Sequence, residues 1–268
     1  MTGGRRAPAP WWGRFEIPDG QAGRWRIGPF TLSAHWRPPE WRVARESAGD
    51  LLDDVVAVDC PADPDAVEPR GELVRIAPAT PRGVLAITPK LADRPVVARP
   101  ETTFRLLPGA QIDLFVSTPV WLEVGIGEPP QTILDEASWR LSDTWFGAVT
   151  GPGELCYAIH TAARLRLENL PVLPHRAVTK VRLENRAGET VSLERLNLPF
   201  PHLSLYADAG GHLWTQVVSV RLEAADKLAE VDLGEGPPGE AREPKRVAGP
   251  RLVVHRNILV RAKSAMLD

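Results

Sequence analysis

Strict alternation of apolar and polar residues constrains the fold of this chain more than any other feature of its sequence. Successive side chains of a strand point to opposite faces, so a period of two marks a strand with one buried and one solvated face. Val181 and Leu183, for example, alternate with charged residues. The other alternating runs have their apolar positions at Ile112, Leu114 and Val116; at Val120, Leu122, Val124 and Ile126; at Leu165 and Leu167; at Val191 and Leu193; and at Val218, Val220 and Leu222. This pattern predicts an all-β fold, an antiparallel β-sandwich of two packed β units with one or two short helices.

A β-hairpin is predicted near the N-terminus. Its first strand has apolar residues at alternate positions from Phe30 to Trp36, and its second strand contains Trp41 and Val43. Pro38 and Pro39 lie between them and form the predicted turn. This spacing sets Trp36 directly opposite Trp41, as a cross-strand aromatic pair.

Helical and loop patterns are few. Residues 132–141 and 224–231 are predicted as short helices. Residues 57–71 and 232–249 lack a clear period and are predicted as loops, the second of them before a last strand over 252–260. A boundary near residue 160 is predicted between an N-terminal β unit (1–160), which holds the tryptophan-rich hairpin, and a C-terminal β-sandwich unit (161–268). One continuous domain is the alternative.

Composition excludes several classes of protein. The chain has 268 residues and two cysteines, so its core is large enough to fold without a disulfide framework. Its net charge is −2. Residues 222–240 carry a charge of −5, and the following residues 241–268 carry a charge of +5. Local neutralisation argues against a nucleic-acid partner. Neither a signal peptide nor a membrane span is predicted, so we expect a cytoplasmic protein.

The acidic segment from Asp50 to Glu68 is a weak candidate metal site. It holds seven carboxylates and no basic residue, and Asp59, Asp63 and Asp65 could supply oxygen ligands to calcium. The segment has neither the spacing of an EF-hand nor its central glycine. A solvated acidic loop is therefore the preferred interpretation, and no metal is predicted.

Catalytic and cofactor-binding motifs are missing from the sequence. Cys156 and His160 share a face of a predicted strand, but positions four apart on a strand are about 13 Å apart, too far for a thiolate–imidazole pair. Cys156 is therefore predicted to be a buried structural residue. The sequence contains no nucleophile elbow, phosphate loop or dinucleotide fingerprint, so no cofactor is predicted. Carboxylate pairs that are remote in sequence stay open as a source of hydrolase activity.

Tryptophan is unusually frequent, with nine residues in the chain and five within the first 41 positions. Trp11 and Trp12 are adjacent, so on an extended chain they would point to opposite faces and could not both enter one core. At least one of them is expected to be exposed or covered by a partner, which makes Trp11 and Trp12 the candidate binding residues. The alternative is that these tryptophans seal the edge of the sandwich.

Several short motifs carry a resemblance that spans most of the chain. They are Trp12-Gly13-Arg14-Phe15, Ile27-Gly28-Pro29-Phe30, Glu40-Trp41-Arg42-Val43, the run from Pro119 to Ile126, Phe146-Gly147 with Gly153 to Tyr157, and Val181 to Asn185. With these motifs the chain resembles an uncharacterised prokaryotic family, domain of unknown function 432. The family has no established activity, so the resemblance assigns no catalytic residue. Some members are encoded near small-conductance mechanosensitive channels, which implies an accessory role.

Two hypotheses about function follow. The first is a non-catalytic β-sandwich protein that works by interaction with a protein partner or by self-association, and that is linked to a mechanosensitive channel. The alternative is a hydrolase that acts on a small sugar-like or polar substrate through carboxylates in a cleft.

Overall fold

The fold is built almost entirely from β-strands. A computed structural model describes residues 10–147, 153–159, 162–223, 229–253 and 258–260. The helical elements of this part of the chain are two single 3-10 turns, Leu167–Asn169 and Phe200–His202. The predicted all-β class is confirmed.

The chain divides into two compact units, each assembled from separate stretches of sequence. The first comprises Met1–Lys90, Pro119–Trp139 and Leu173–His175. The second comprises Leu91–Thr118, Arg140–Val172 and Arg176–Asp268. The domain boundary near residue 160 stays a prediction.

The first unit contains two antiparallel sheets. Its strands are β1 (Gly13–Glu16), β2 (Ala22–Ile27), β3 (Phe30–Arg37), β4 (Glu40–Ser47), β5 (Val56–Ala62), β6 (Glu72–Ile76), β7 (Val84–Lys90), β11 (Trp121–Ile126) and β12 (Gln131–Ala137). One sheet has the order β1-β7-β11-β12, and the other has the order β5-β2-β3-β4-β6. Phe15 of the first sheet meets Trp25 of the second edge to face, with ring centroids 5.0 Å apart. The sheets therefore share a core.

The tight turn between β2 and β3 requires glycine at position 28. Ile27 pairs with Phe30, so Gly28 and Pro29 form a two-residue loop. Gly28 has φ +57°, and proline fixes a negative φ at the next position, which is the pattern of a type II′ turn. A Cβ at position 28 would also collide with the ring of His175. No other residue fits this turn without strain.

The predicted tryptophan pair lies at the turn end of the next hairpin. Trp36 on β3 pairs directly with Trp41 on β4, and their ring centroids are 5.0 Å apart. Both indoles are buried. Trp36 Nε1 donates to Asp19 Oδ1 (2.9 Å), and Trp41 Nε1 donates to the carbonyl oxygen of Arg82 (3.2 Å). The hairpin and its aromatic pair are confirmed.

The second unit contains a large mixed sheet and two smaller sheets. Its strands are β8 (Val96–Ala98), β9 (Phe104–Leu106), β10 (Gln111–Pro119), β13 (Ser142–Gly147), β14 (Gly153–Ala158), β15 (Arg176–Asn185), β16 (Val191–Leu193), β17 (Leu196–Leu198), β18 (Leu205–Ala207), β19 (Leu213–Thr215), β20 (Val218–Leu222), β21 (Ala229–Leu233), β22 (Lys245–Ala248) and β23 (Ile258–Val260). The large sheet has the order β22-β18-β19-β15-β20-β21-β23, and β10 also pairs with β15. The smaller sheets have the orders β13-β14-β8-β17 and β16-β9.

Strand β15 shows the predicted alternation of apolar and charged residues. Val181 and Leu183 are fully buried, whereas Arg182 on the other face is exposed. Asp113 accepts ion pairs from both Lys180 (3.1 Å) and Arg182 (3.2 Å) on that face. The runs over 112–116, 120–126, 191–193 and 218–222 also contribute to strands, as the alternation predicts.

The predicted helix over 132–141 is wrong. Residues Gln131–Ala137 form β12, which pairs with β11 along its length. The main-chain hydrogen bonds of a neighbouring strand outweigh a weak local preference for helix. Of the second predicted helix, residues 224–228 lie outside the described part of the chain, and the described remainder belongs to β21.

Other local predictions are wrong for two reasons. A short alternating run forms no strand where it has no neighbouring strand to pair with, and a segment without alternation forms a strand where a neighbouring strand is present. Leu165 is exposed and Leu167 begins a 3-10 turn, so no strand forms over 164–168. The predicted loops contain β5 and β22, which pair with β2 and β18. Within 252–260, residues 254–257 are outside the described chain, and Ile258–Val260 pairs with β21.

Candidate functional site

Trp11 and Trp12 do not lie on an extended strand. The chain bends at Trp11, and the two rings meet edge to face with centroids 5.1 Å apart. Trp11 is buried, and its Nε1 donates to the carbonyl oxygen of Pro174 (3.2 Å), which is the arrangement of a structural anchor. Trp12 is half-buried. The binding role of these two residues stays a prediction.

Among the nine tryptophans, Trp145 alone is exposed. It lies on β13 directly opposite Leu155 of β14, with 50% of Trp145 and 47% of Leu155 accessible to solvent. Leu155 and Tyr157 are two positions apart on β14, so they share a face of the sheet. We call the surface formed by Trp145, Leu155 and Tyr157 the hairpin face.

The indole of Trp145 rests against the backbone of the hairpin. A Cβ added to Gly153 would lie 2.6 Å from the six-membered ring of Trp145. Glycine at this position therefore lets the indole lie flat over β14 instead of projecting into solvent. The sequence supplies this glycine just before Leu155.

Charged residues surround the Tyr157 end of the hairpin face. The guanidinium of Arg94 lies over the Tyr157 ring, 5.3 Å from its centroid, and Arg94 also pairs with Asp143 (3.1 Å). The Tyr157 hydroxyl donates to Asp93 Oδ1 (3.0 Å). Burial raises the pKa of Tyr157, and the hydrogen bond to Asp93 raises it further. The tyrosine is thus held as a neutral donor at the edge of an apolar surface.

The opposite face of the same hairpin belongs to the core. Phe146, Cys156 and Val97 pack together there and are buried. Burial raises the pKa of Cys156 to about 12, so the thiol stays protonated at neutral pH. A buried thiol that stays protonated is a poor nucleophile, so Cys156 serves as a core residue. His160, which the sequence places too far from Cys156 for a thiolate–imidazole pair, lies outside the described residues.

Strand β13 is also an edge of its sheet. Edge strands usually carry charges or prolines that oppose pairing with other chains. Four other edge strands have two charged residues each: Arg14 and Glu16 on β1, Glu72 and Arg75 on β6, Asp135 and Glu136 on β12, and Lys245 and Arg246 on β22. Strand β13 has Asp143 alone, as the edge strand β5 has Asp59 alone, and the three-residue edge strands β17 and β23 have no charged residue; β13 differs from them by placing an exposed tryptophan, Trp145, near its middle.

The frequency of tryptophan points to the first 41 residues, and Trp145 lies outside them. A usable signal was present, because Trp145 and Phe146 are adjacent on a strand and must point to opposite faces. The same argument applied to Trp11 and Trp12 fails because the chain bends there. Adjacent aromatic residues indicate an exposed ring only where the backbone is extended.

The acidic segment does not converge on a common point. Asp59, Asp63 and Asp65 are exposed, and Asp63 Oδ1 accepts a hydrogen bond from the Asp65 amide (3.0 Å), as in a local turn. Asp53 pairs with Arg26 (2.8 Å), and its pKa is lowered, first by the amide of Val55 and then by Arg26. Over the part of the chain that is described, no three His, Cys, Asp or Glu side chains are arranged to hold a metal ion.

One hydrogen-bonded carboxylate–imidazole pair is present in the loop between β18 and β19. Asp208 Oδ2 lies 3.2 Å from His212 Nδ1 and also accepts from Trp214 Nε1 (3.0 Å). Asp208 Oδ1 accepts from the amides of Gly210 (2.8 Å) and His212 (2.9 Å). Four hydrogen bonds on one carboxylate organise the loop, so the pair is accounted for without a catalytic role.

Comparison with known proteins identifies a family and no individual relative. Among the described residues, no helix has the length and apolar character needed to cross a membrane. No curated protein and no solved structure matches the chain. A family model described as a protein of unknown function, DUF432, matches residues 11–267. Because this match covers nearly the whole sequence, the chain belongs to the DUF432 family.

Proposed function

We propose that this protein is a non-catalytic interaction protein that binds its partner through the hairpin face and the outer edge of β13. The observation that carries the proposal is the exposed pair Trp145–Leu155, whose tryptophan lies on an edge strand with one charged residue. Tryptophan contributes strongly at protein interfaces because it buries a large, rigid surface. The eight other tryptophans are buried or half-buried.

The free energy gained by burying the exposed indole of Trp145 supports a role for this residue in binding. Covering roughly 100 Å² of apolar indole surface would contribute about 2–3 kcal/mol, at about 25 cal/mol per Å². The neighbouring Tyr157, Arg94 and Asp143 would form a polar rim around the apolar pair. An apolar centre with a polar rim is the usual composition of a protein interface.

The edge of β13 favours an extended strand as the bound segment. The outer main-chain groups of an edge strand can pair with an added strand, and the side chains beside them give specificity. We expect the added strand to place an apolar residue against Trp145. The family resemblance makes a small-conductance mechanosensitive channel the first candidate partner, with the protein acting as a cytoplasmic accessory subunit.

Site-specific cross-linking in cells of the source organism tests this proposal. A photo-reactive phenylalanine analogue replaces Leu155 in one variant and Leu165 in a matched control, because both leucines belong to the second unit and are about half exposed. The expected result is a discrete cross-linked product at position 155, mapped by mass spectrometry to one extended segment of one protein. Equal products at both positions, or none at 155, would reject the hairpin face as a binding surface.

The identity of the cross-linked protein tests the finer proposal separately. A channel subunit would support the accessory role. Any other protein would reject the channel link while leaving the interaction function in place.

The alternative hypothesis, a hydrolase, rests on Asp59, Asp63 and Asp65. The test is a screen of the purified protein against glycosides and phosphodiesters, followed by replacement of the three aspartates by asparagine. Activity that is lost in the triple variant would favour the hydrolase. A protein without activity on either substrate class would leave the interaction function as the supported proposal.

A further inference from the structure

A histidine is buried on the outer face of the five-stranded sheet, beneath a surface segment. His35 on β3 is 5% exposed. Ala22, Ala62 and Val67 form a small buried cluster, and Ala22 pairs directly with His35. Val67 belongs to residues 63–71, which we call the cover segment.

The cover segment is attached by few contacts. Val67 is its single buried residue, Pro64 is partly buried, and the other seven residues of the segment are exposed. Arg24 donates to the carbonyl oxygen of Glu68 at 3.5 Å, and the Val67 amide donates to the carbonyl oxygen of Pro64 at 3.4 Å. Both distances are long for hydrogen bonds. Segments with little buried apolar surface open at low free-energy cost.

The imidazole is closed in by the cover segment and by positive charge. It is hydrogen-bonded to the backbone of Val67, while its Nε2 is buried with no hydrogen-bond partner among the described residues. Burial lowers the pKa of His35, and Arg37, Arg42 and Arg24 lower it further, against the opposing effect of the Val67 bond. A proton on Nε2 would therefore be a buried, unpaired charge among three guanidinium groups.

The acidic groups nearby do not offset this positive charge. On β4, Glu40 is paired with Arg42 and with Arg75. On β5, Asp59 stands opposite Arg24 and is exposed. The cover segment itself contributes three exposed carboxylates and one exposed cation. The carboxylates are Asp63, Asp65 and Glu68, and the cation is Arg70.

We propose that residues 63–71 form a pH-sensitive cover that stays closed while His35 is neutral and opens when the imidazole takes up a proton. Opening would hydrate the protonated ring and expose the cluster of Ala22, Ala62 and Val67 beside the edge strand β5. In the open form the histidine has its ordinary pKa of about 6.5, and in the closed form its pKa is lower. The closed form is thus favoured above about pH 6.5 and loses stability as the pH falls below that value.

Hydrogen exchange on the full chain measures this opening. The protection of the Val67 amide is compared at about pH 7.5 and about pH 5.5, on either side of the ordinary histidine pKa and above that of carboxylates, after correction for intrinsic exchange rates. Protection is expected to fall by up to about tenfold between these two pH values, because pH 5.5 lies one unit below the ordinary pKa of histidine. Tryptic cleavage after Arg70, divided at each pH by the cleavage rate of an unstructured peptide because trypsin itself slows as the pH falls, should increase over the same range.

Two variants separate His35 from other titrating groups. His35→Gln should abolish the pH dependence of both measurements, whereas His212→Gln, at a half-exposed histidine of the second unit, should leave it unchanged. If His35→Gln does not fold, an NMR titration of the histidines in the unmodified protein decides the question. A His35 pKa at or above about 6.5, or pH dependence that persists in His35→Gln, overturns the proposal.

Discussion

Two hairpins of this protein each carry a tryptophan in a direct cross-strand pair, and the pairs have opposite surroundings. Trp36 and Trp41 are buried in the first unit, and both of their indole NH groups donate hydrogen bonds. Trp145 and Leu155 form the equivalent pair in the second unit, yet each is about half exposed. The local geometry of a hairpin therefore does not decide whether its pair serves stability or contact.

The difference lies in what covers each hairpin. β3 is a central strand of its sheet, and residues from distant segments, such as Asp19 and Arg82, accept the hydrogen bonds of the paired indoles. β13 is an edge strand, and only its opposite face, with Phe146, packs into a core. The same type of pair is a core element in one hairpin and a candidate binding surface in the other.

The largest expected effect is at the buried pair. Trp36→Ala should lower the free energy of unfolding by about 3–5 kcal/mol, because it leaves a cavity and removes the partner of Asp19. Urea denaturation of the variant and of the unmodified protein measures the loss. A loss no larger than that of Trp145→Ala would break the comparison between the two hairpins.

The next effect separates the two N-terminal tryptophans. Trp11→Ala should cost about 3 kcal/mol, since the ring is buried and its NH is bonded to Pro174, whereas Trp12→Ala should cost less than about 1 kcal/mol. The same denaturation experiment compares them. Equal losses at both positions would show that the half-buried ring of Trp12 is as deeply packed as that of Trp11.

A matched pair of glycines gives a smaller and sharper test. A Cβ at Gly23 would lie 2.5 Å from the buried ring of Trp25, and one at Gly153 would lie 2.6 Å from the exposed ring of Trp145. Gly23→Ala should therefore cost about 1–3 kcal/mol, while Gly153→Ala should stay within about 0.5 kcal/mol because the exposed indole can move. Similar costs in the two variants would mean that Trp145 is held rigidly.

A change in stability smaller than that at the buried pair is expected at the hairpin face. Trp145→Ser and Leu155→Ser should each lower the free energy of unfolding by about 1–2 kcal/mol, because about half of each side chain is removed from water on folding. Both variants should nevertheless lose partner binding, and Leu165→Ser serves as the control. A loss of about 3 kcal/mol in either variant would contradict an exposed hairpin face.

The strands that were predicted correctly are those in which alternation continues over several residues. Residues 181–185 and 218–222, which pair with each other in β15 and β20, are examples. Residues 132–141 and 57–71 were assigned wrongly because strand formation at β12 and β5 depends on pairing with β11 and β2, which local patterning does not report. Local patterning does not identify the candidate site for a related reason, since exposure of Trp145 depends on whether a distant segment packs over its face of the sheet.

The sequence by itself determined the all-β class, the hairpin of β3 and β4 and the facing of Trp36 and Trp41, because alternation and turn residues act between neighbours in the chain. Only the tertiary structure decided which tryptophans are buried, how the acidic segment is dispersed, and that Val67 packs with Ala22 and Ala62 beside the buried His35. Burial is set by segments that are distant in sequence, and a strand's own pattern states which faces differ without stating what covers them.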